Sequence, residues 1–139
     1  MKNILLLFLV LFSLGMNAQN NKVKFINVKR IYDFQSGPNE FRLNSALKHK
    51  LENLGYTVYY DAEMPMEVRL DPCTEYTATL VDGKSSLTTE LTLIIKDCKG
   101  NTVFSNKGIS RLKMHNKSYM DAFQNIFTYS NIGRLKINQ

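Results

Sequence analysis

The alternation of apolar and polar residues is clearest between residues 74 and 110, where it predicts antiparallel β-structure. Two apolar series lie at every second position, with threonines and charged residues between many of them: Tyr76, Ala78 and Leu80, then Leu91, Leu93 and Ile95. Turn-forming residues at 82–86 and 99–101 bound these stretches and lead into residues 102–110. We therefore expect three strands joined by two hairpins, a β-meander.

Two further segments have the apolar spacing of amphipathic helices. In the first, predicted at residues 39–54, the shared face consists of leucines: Leu43, Leu47, Leu51 and Leu54. Ser36 or Asn39 would cap this helix, and Gly55 would end it. The second helix would open at Ser118 and carry an equally wide apolar face: Tyr119, Ala122, Phe123, Ile126 and Phe127.

Shorter apolar stretches add strands to this sheet. Residues 23–34 suit a strand that is either covered on both faces or bulged, and residues 56–60 suit a short strand. A short edge strand is a further expectation at residues 66–70, because Pro65 excludes a central strand there. Residues 130–139 are either a tail or a short final strand.

These elements together predict an α+β fold. The expected architecture is a two-layer sandwich, with a mainly antiparallel sheet of four to five strands and two helices on one face. The opposite sheet face is polar, so it is either hydrated or a surface for a partner. Its expected residues are Thr77, Thr79, Thr88, Glu90 and Thr92.

The N-terminus has the three-part pattern of a cleavable signal peptide at residues 1–18. Lys2 supplies the positive charge, an apolar run of about 11 residues follows, and Ala18 precedes a polar segment. A bilayer-spanning helix needs roughly 20 apolar residues, so a permanent anchor is the less favoured alternative. Residues 19–139 would then be a single exported domain, periplasmic or secreted, with no transmembrane segment after cleavage.

Two cysteines in an exported chain indicate a disulfide, here between Cys73 and Cys98. If they face each other across the first hairpin, residue numbers that pair sum to 171, which sets Ala78 against Leu93 and Leu80 against Leu91. Such a bridge would stabilise the fold by about 3–4 kcal/mol through chain entropy. Two free buried thiols are the alternative.

Charge and chemical motifs narrow the function only slightly. The full chain has 18 Lys and Arg against 12 Asp and Glu, and removal of Lys2 leaves a net charge of +5. In an exported protein this mild excess favours an anionic envelope ligand over nucleic acid as a partner, or it simply keeps the protein soluble. No cofactor is expected, since the seven glycines form no phosphate-binding loop.

The residues that could carry catalysis form no recognisable constellation. His49 and His115 are not spaced as zinc ligands with either cysteine, so no metal site is expected. His115 could act as a base, but an exposed or capping histidine explains it more simply. The nearby acids Asp61 and Glu63, or Glu67 and Asp71, could face a sugar, although solvation of a loop accounts for both pairs.

An aromatic and methionine cluster is the candidate binding surface. Its members are Tyr56, Tyr59, Tyr60, Met64 and Met66. Aromatic residues and methionine are enriched at interfaces, and methionine adapts to irregular surfaces. Core packing and burial beneath a loop are the alternative explanation.

Two segments resemble small α/β domains of bacterial envelope proteins. They are the helix end and strand at residues 51–58 (LENLGYTV), and the hairpin at residues 94–104 (IIKDCKGNTVF). The likeness is to the N-terminal domain of the Tol-Pal translocation protein and to curli-assembly and lipopolysaccharide-assembly lipoproteins. It implies a non-enzymatic role, and the chain departs from the lipoproteins in lacking a lipidation cysteine.

The sequence thus favours an exported binding or assembly module of the bacterial envelope, whose partner is an envelope protein or an anionic envelope ligand. Two alternatives remain open: a hydrolase that acts on an envelope polymer, and a carrier of a small anionic ligand.

Overall fold

The computed structural model describes residues 25–83 and 85–128, which form a five-stranded mixed sheet with helices on both faces. In chain order the elements are β1 (Phe25–Val28), a 3₁₀ turn (Glu40–Arg42), α1 (Leu43–Asn53), β2 (Thr57–Tyr60), α2 (Met66–Leu70), a second 3₁₀ turn (Pro72–Thr74), β3 (Glu75–Gly83), β4 (Thr89–Lys96), β5 (Thr102–Ser110) and α3 (His115–Thr128). The strand order is β2-β1-β3-β4-β5. β1 is parallel to both of its neighbours, and the other two pairs are antiparallel.

The α+β sandwich predicted from the sequence is confirmed. The signal peptide predicted at residues 1–18 and the segment 130–139 lie outside the described residues. No helix within the described ranges is long and apolar enough to cross a membrane.

The main core lies between the sheet and the two long helices, on what we call the inner face. Leu43, Leu47 and Leu51 of α1 are fully buried there, as the leucine stripe predicts. α3 contributes Tyr119, Ala122, Phe123 and Ile126 to the same cluster, and the sheet supplies Ile26, Val28, Val58, Ala78, Leu80, Leu91, Leu93 and Ile95. Each fully buried leucine stabilises the fold by about 1.5–3 kcal/mol relative to an exposed one.

The edge strand predicted at residues 66–70 is wrong, because this segment is the short helix α2. Pro65 stands at its N-cap in an extended conformation, a position where the missing N–H group costs nothing. Val68 is the buried residue of α2, and it packs with Phe25 and Tyr59 on the outer face of the sheet. β1 is therefore covered on both faces, which was one of the two alternatives for it.

The hairpin β3–β4 is present, but its predicted register is shifted by two residues. Ala78 pairs with Ile95 and Leu80 with Leu93, so paired numbers sum to 173. The shift arises because Cys73 lies in the 3₁₀ turn Pro72–Thr74 and not on the strand. A shift of two preserves which face each side chain occupies, so the apolar alternation predicted the correct faces.

Three element boundaries also differ from the predictions. β1 ends at Val28, and the chain then turns instead of continuing as a strand to residue 34. α1 begins at Leu43, after a 3₁₀ turn, and its N-cap residue Arg42 makes no side-chain capping bond. Asn39, one of the two predicted caps, lies before the 3₁₀ turn and accepts hydrogen bonds from the hydroxyl of Ser45 and from its amide, which belongs to the first turn of α1. α3 begins at His115, so Ser118 is a buried residue within the helix and not its cap.

α3 and β5 are in unusually close contact at Gly108. A β-carbon built on Gly108 would overlap the carbonyl oxygen of Ala122 and lie 2.5 Å from the backbone nitrogen of Ile126. Only a residue without a side chain allows the helix backbone to rest directly on the strand. Gly108 therefore sets the distance between the helical layer and the sheet.

Candidate functional site

No element of the described residues covers the outer face of the sheet over β3, β4 and β5. α2 covers the neighbouring part over β1 and β2, where Phe25, Tyr59 and Val68 are buried together. On the uncovered part, Val81, Val103 and Ile109 are exposed to 46%, 45% and 45%. Apolar side chains therefore interrupt the polar surface that the sequence predicts for this face. We call this face together with the edge of β5, which pairs with no other strand in residues 25–83 and 85–128, the β5 surface.

β5 forms one edge of the sheet and is nine residues long, against a usual strand length of about five or six. Two amide side chains tie it to α3: Asn125 donates to the Ile109 carbonyl oxygen over 2.8 Å, and Asn106 donates to the Ile126 carbonyl oxygen over 2.6 Å. Lys107 projects from β5 and forms a 3.0 Å ion pair with Glu90 of β4. A β-bulge at Val103, opposite Ile95 and Lys96, interrupts the start of this edge, so its regular part runs from residue 104 to residue 110. With a single lysine on it, that part is available for strand pairing.

A second feature is the loop between β1 and α1, which contains three left-handed residues that are not glycine. Asn39, Phe41 and Arg42 have φ angles of 55°, 57° and 60°. Asparagine adopts this region with some ease, but a bulky residue such as phenylalanine does so rarely. Left-handed residues of this kind cost about 1–3 kcal/mol each and are found preferentially at functional sites.

Buried polar side chains hold this loop in place. Gln35 donates from its amide nitrogen to the Glu40 carbonyl oxygen and to Asn44 Oδ1, both over 2.8 Å. Asn44 in turn donates to the Lys29 carbonyl oxygen over 2.7 Å. Both Gln35 and Asn44 are buried. Since unpaired buried amides are costly, the network ties the loop to the start of α1 and maintains its strained backbone.

The strained loop places Phe41 in an aromatic stack. Its ring lies 4.3 Å from that of Tyr119, nearly parallel, and Tyr119 stacks in turn on Phe34 at 5.5 Å. His115 contacts both Phe41 and Tyr119 edge-on, at 5.5 and 5.2 Å. Burial, followed by the charge of Asp82, raises the pKa of the Tyr119 hydroxyl, which donates to Asp82 Oδ2 over 3.3 Å.

A shallow cavity of about 660 Å³, wide open to solvent, lies between this loop and the first turns of α3. It is lined by Asn39, Glu40, Phe41, Arg42, Asn116 and Met120. No sequence pattern indicates this cavity, because its residues come from two distant segments and none of its left-handed positions is a glycine.

The structure divides the predicted binding cluster between the two sheet faces. Tyr56 and Tyr60 pack partly buried against the main core, whereas Tyr59 is buried on the outer face beneath α2. Tyr60 is flanked by two cations, with Lys48 Nζ 5.0 Å and Arg30 Cζ 6.0 Å from its ring centre.

The two methionines of that cluster remain exposed. Met64 and Met66 lie at the start of α2, at 39% and 63% exposure. A single binding surface formed by all five side chains remains a prediction.

Within the described ranges, the two histidines contact neither a carboxylate nor each other. His49 on α1 contacts the Asn53 side chain at 3.1 Å, and His115 contacts aromatic rings. Glu63 instead forms a 2.9 Å ion pair with Arg30. No group of three or more His, Cys, Asp or Glu side chains in the described residues could hold a metal ion.

Cys73 and Cys98 form a disulfide, as the sequence predicts. The bridge joins the 3₁₀ turn before β3 to the turn between β4 and β5, where both cysteines are exposed. Next to it, Asp97 accepts hydrogen bonds from the amides of Lys99 and Asn101 and from the Asn101 side chain. These bonds, that of the Asn101 side chain first, lower the pKa of the Asp97 carboxyl.

Comparisons with known proteins provide no family for this chain. No family model matches the sequence, and no curated protein matches it either. Among solved structures, it is similar to a PelC dodecamer from Paraburkholderia phytofirmans, with 13% identity and a TM-score of 0.48. That match covers 77% of this chain and 88% of the other. A likeness this distant supports no functional argument.

Proposed function

We propose that the protein is an exported, non-enzymatic binding module of the bacterial envelope, whose β5 edge pairs with an extended segment of another envelope protein. The observation that carries this proposal is the nine-residue edge strand beside an uncovered sheet face. In strand addition, main-chain hydrogen bonds supply affinity and alternate side chains supply specificity. The Cys73–Cys98 disulfide supports an oxidising compartment.

The side chains of β5 indicate what the partner segment looks like. Val103 and Ile109 lie on the outer face, near the two ends of the strand, and each is about half exposed. A strand added beside β5 would bring its own alternate residues onto the same face. The proposed partner therefore has apolar residues at alternate positions, which would bury Val103 and Ile109 and add to the affinity.

Site-specific photo-cross-linking in the envelope tests this proposal. The cross-linking residue replaces Ser105, which is exposed in the middle of β5, and as a control replaces Glu52, which is exposed on α1. We expect a defined protein adduct from position 105 and none from position 52. Mass spectrometry should map the adduct to one extended, alternating segment. Equal adducts at both positions, or none at position 105, would contradict strand addition at β5.

A matched pair of substitutions then measures the contribution of the β5 surface. Ile109→Lys places a charge on it, whereas Leu87→Lys makes the same change in the β3–β4 turn, at a residue that is 89% exposed. With the purified partner segment, Ile109→Lys should weaken binding at least tenfold, or about 1.4 kcal/mol, and Leu87→Lys should not. Equal affinities for the two variants would exclude the β5 surface as the docking site.

A further inference from the structure

We infer that the cavity between the strained loop and α3 binds a free α-amino acid with an apolar side chain. This function is additional to the proposed strand pairing and uses another part of the molecule. The cavity volume of about 660 Å³ falls within the usual range for small-molecule sites. Its lining offers a cation, an anion and two apolar side chains, which are the groups that such a ligand requires.

The cavity contains two side chains of opposite charge that do not pair with each other. Glu40 and Arg42 both line it, yet they form no ion pair within 4.0 Å of one another. Arg42 is exposed, and no carboxylate in residues 25–83 or 85–128 pairs with its guanidinium. A planar guanidinium binds a carboxylate with two parallel hydrogen bonds, so Arg42 is suited to the ligand carboxylate.

Glu40 supplies the complementary charge for an ammonium group. One of its carboxylate oxygens, Oε2, accepts a hydrogen bond from the Ser36 amide, which fixes the side chain and leaves the other oxygen for a ligand. The same negative charge disfavours dianions such as phosphate in this cavity, because like charges at close range repel. The pair therefore favours a zwitterion over a simple anion.

The remaining lining residues suit an apolar side chain and fix its position. Phe41 and Met120 provide an aromatic edge and a flexible thioether, which adapts to different apolar shapes. Asn39 and Asn116 also line the cavity, and the hydrogen bonds of the Asn39 side chain within the loop use its oxygen.

The left-handed backbone gives this arrangement a physical rationale. Phe41 and Arg42 are adjacent residues in a costly conformation, and Phe41 is held there by its stack on Tyr119. Strain of this kind persists where the surrounding structure imposes it, and it is concentrated at ligand-binding and active sites. Preorganisation lowers the entropy cost of binding, which matters most for a small ligand with few contacts.

The test is an NMR titration of the oxidised chain from residue 19 onward with L-phenylalanine and L-leucine. We expect saturable shifts at the amides of residues 39–42 and 115–120, with half-saturation below about 10 mM. N-acetyl-L-phenylalanine lacks the ammonium group and L-phenylalaninamide lacks the carboxylate, so each should bind at least tenfold more weakly than L-phenylalanine. No saturable shift, shifts centred elsewhere, or derivatives that bind as well as L-phenylalanine would overturn the inference.

Charge-neutralising variants provide the matched control. Arg42→Gln and Glu40→Gln should each raise the dissociation constant at least tenfold, while Arg69→Gln, on the exposed side of α2, should leave it unchanged. Circular dichroism verifies that each variant is folded, which is expected because none of these side chains is buried in the core. Unchanged affinity in both cavity variants would refute the roles of the two charges.

Discussion

The contact between Gly108 and α3 yields the sharpest quantitative prediction, for Gly108→Ala. The new β-carbon would overlap the Ala122 carbonyl oxygen, and it would lie 2.5 Å from the Ile126 nitrogen and 2.9 Å from Ile126 Cγ1. Ordinary contacts begin near 3.4 Å, so the helix has to move away from the strand by more than about 1 Å. The nearest obstacles are backbone atoms of the helix, so side-chain rotation does not relieve the overlap.

The expected loss of folding stability depends on the core side chains that move with α3. α3 carries Tyr119, Ala122, Phe123 and Ile126 into the core, and a gap of about 0.5–1 Å forfeits about a quarter to a half of each van der Waals contact. Overpacked sites usually cost about 1–3 kcal/mol, and here the rigid backbone puts the loss at the upper end, at about 3 kcal/mol. With an m value of about 2 kcal/mol/M, the urea midpoint falls by about 1.5 M.

The same substitution at two other glycines of the oxidised protein provides controls for Gly108→Ala. At Gly37 an added β-carbon would meet no atom within 4 Å, and φ is not left-handed, so Gly37→Ala should be neutral or stabilise by up to about 1 kcal/mol. Gly55 is equally open but has φ +91°, so Gly55→Ala should cost about 1–2 kcal/mol. If Gly108→Ala matches Gly37→Ala to within about 0.5 kcal/mol, the close approach of α3 is refuted.

Three further predictions concern the disulfide, a turn and the strained loop. Reduction of Cys73–Cys98, which spans 25 residues, should lower the free energy of unfolding by about 3.5 kcal/mol in urea titrations, and an unchanged midpoint would contradict this. The lowered pKa of Asp97 means that its stabilisation is present above its unfolded pKa and is lost as pH falls through the folded value, so Asp97→Asn should reduce the difference in urea midpoint between about pH 7 and pH 3. Arg42→Gly should raise the free energy of unfolding by about 1 kcal/mol because glycine tolerates φ 60°, and a loss of stability would show that the residue is not strained.

The sequence predicted the layers of the fold because periodicity depends only on which face a side chain occupies. Leu43, Leu47 and Leu51 are buried as their spacing requires, and Ala78 and Leu80 lie on the expected face of β3. The pairing register of β3 and β4 was harder to predict from the sequence. It depended on whether Cys73 lies on a strand or in a turn, and the apolar pattern is the same for both.

At α2 the local sequence is compatible with both an edge strand and a helix. Pro65 correctly excluded a central strand, but proline is equally compatible with an edge strand and with the start of a helix. The helix is favoured over an edge strand because Val68 packs on Phe25 and Tyr59 on the outer face. Such a tertiary contact has no signature in a five-residue window.

The candidate sites were the least predictable part. The exposed edge of β5 depends on strand order, which the sequence did not specify. The cavity depends on left-handed Phe41 and Arg42, and residues of these types have no intrinsic preference for that conformation. Their backbone is imposed by Gln35 and Asn44, whose importance appears only once the loop is folded.

The position of β1 between β2 and β3 has a consequence for how the chain folds as it emerges from the ribosome or a translocation channel. β1 and β2 appear first, yet one side of β1 stays unpaired until β3 has also emerged. From β3 onward each strand pairs with its sequence neighbour, so that half has local contacts and folds quickly once present. The N-terminal half is thus the part more exposed to aggregation during synthesis, since an unpaired strand in an incomplete chain promotes aggregation.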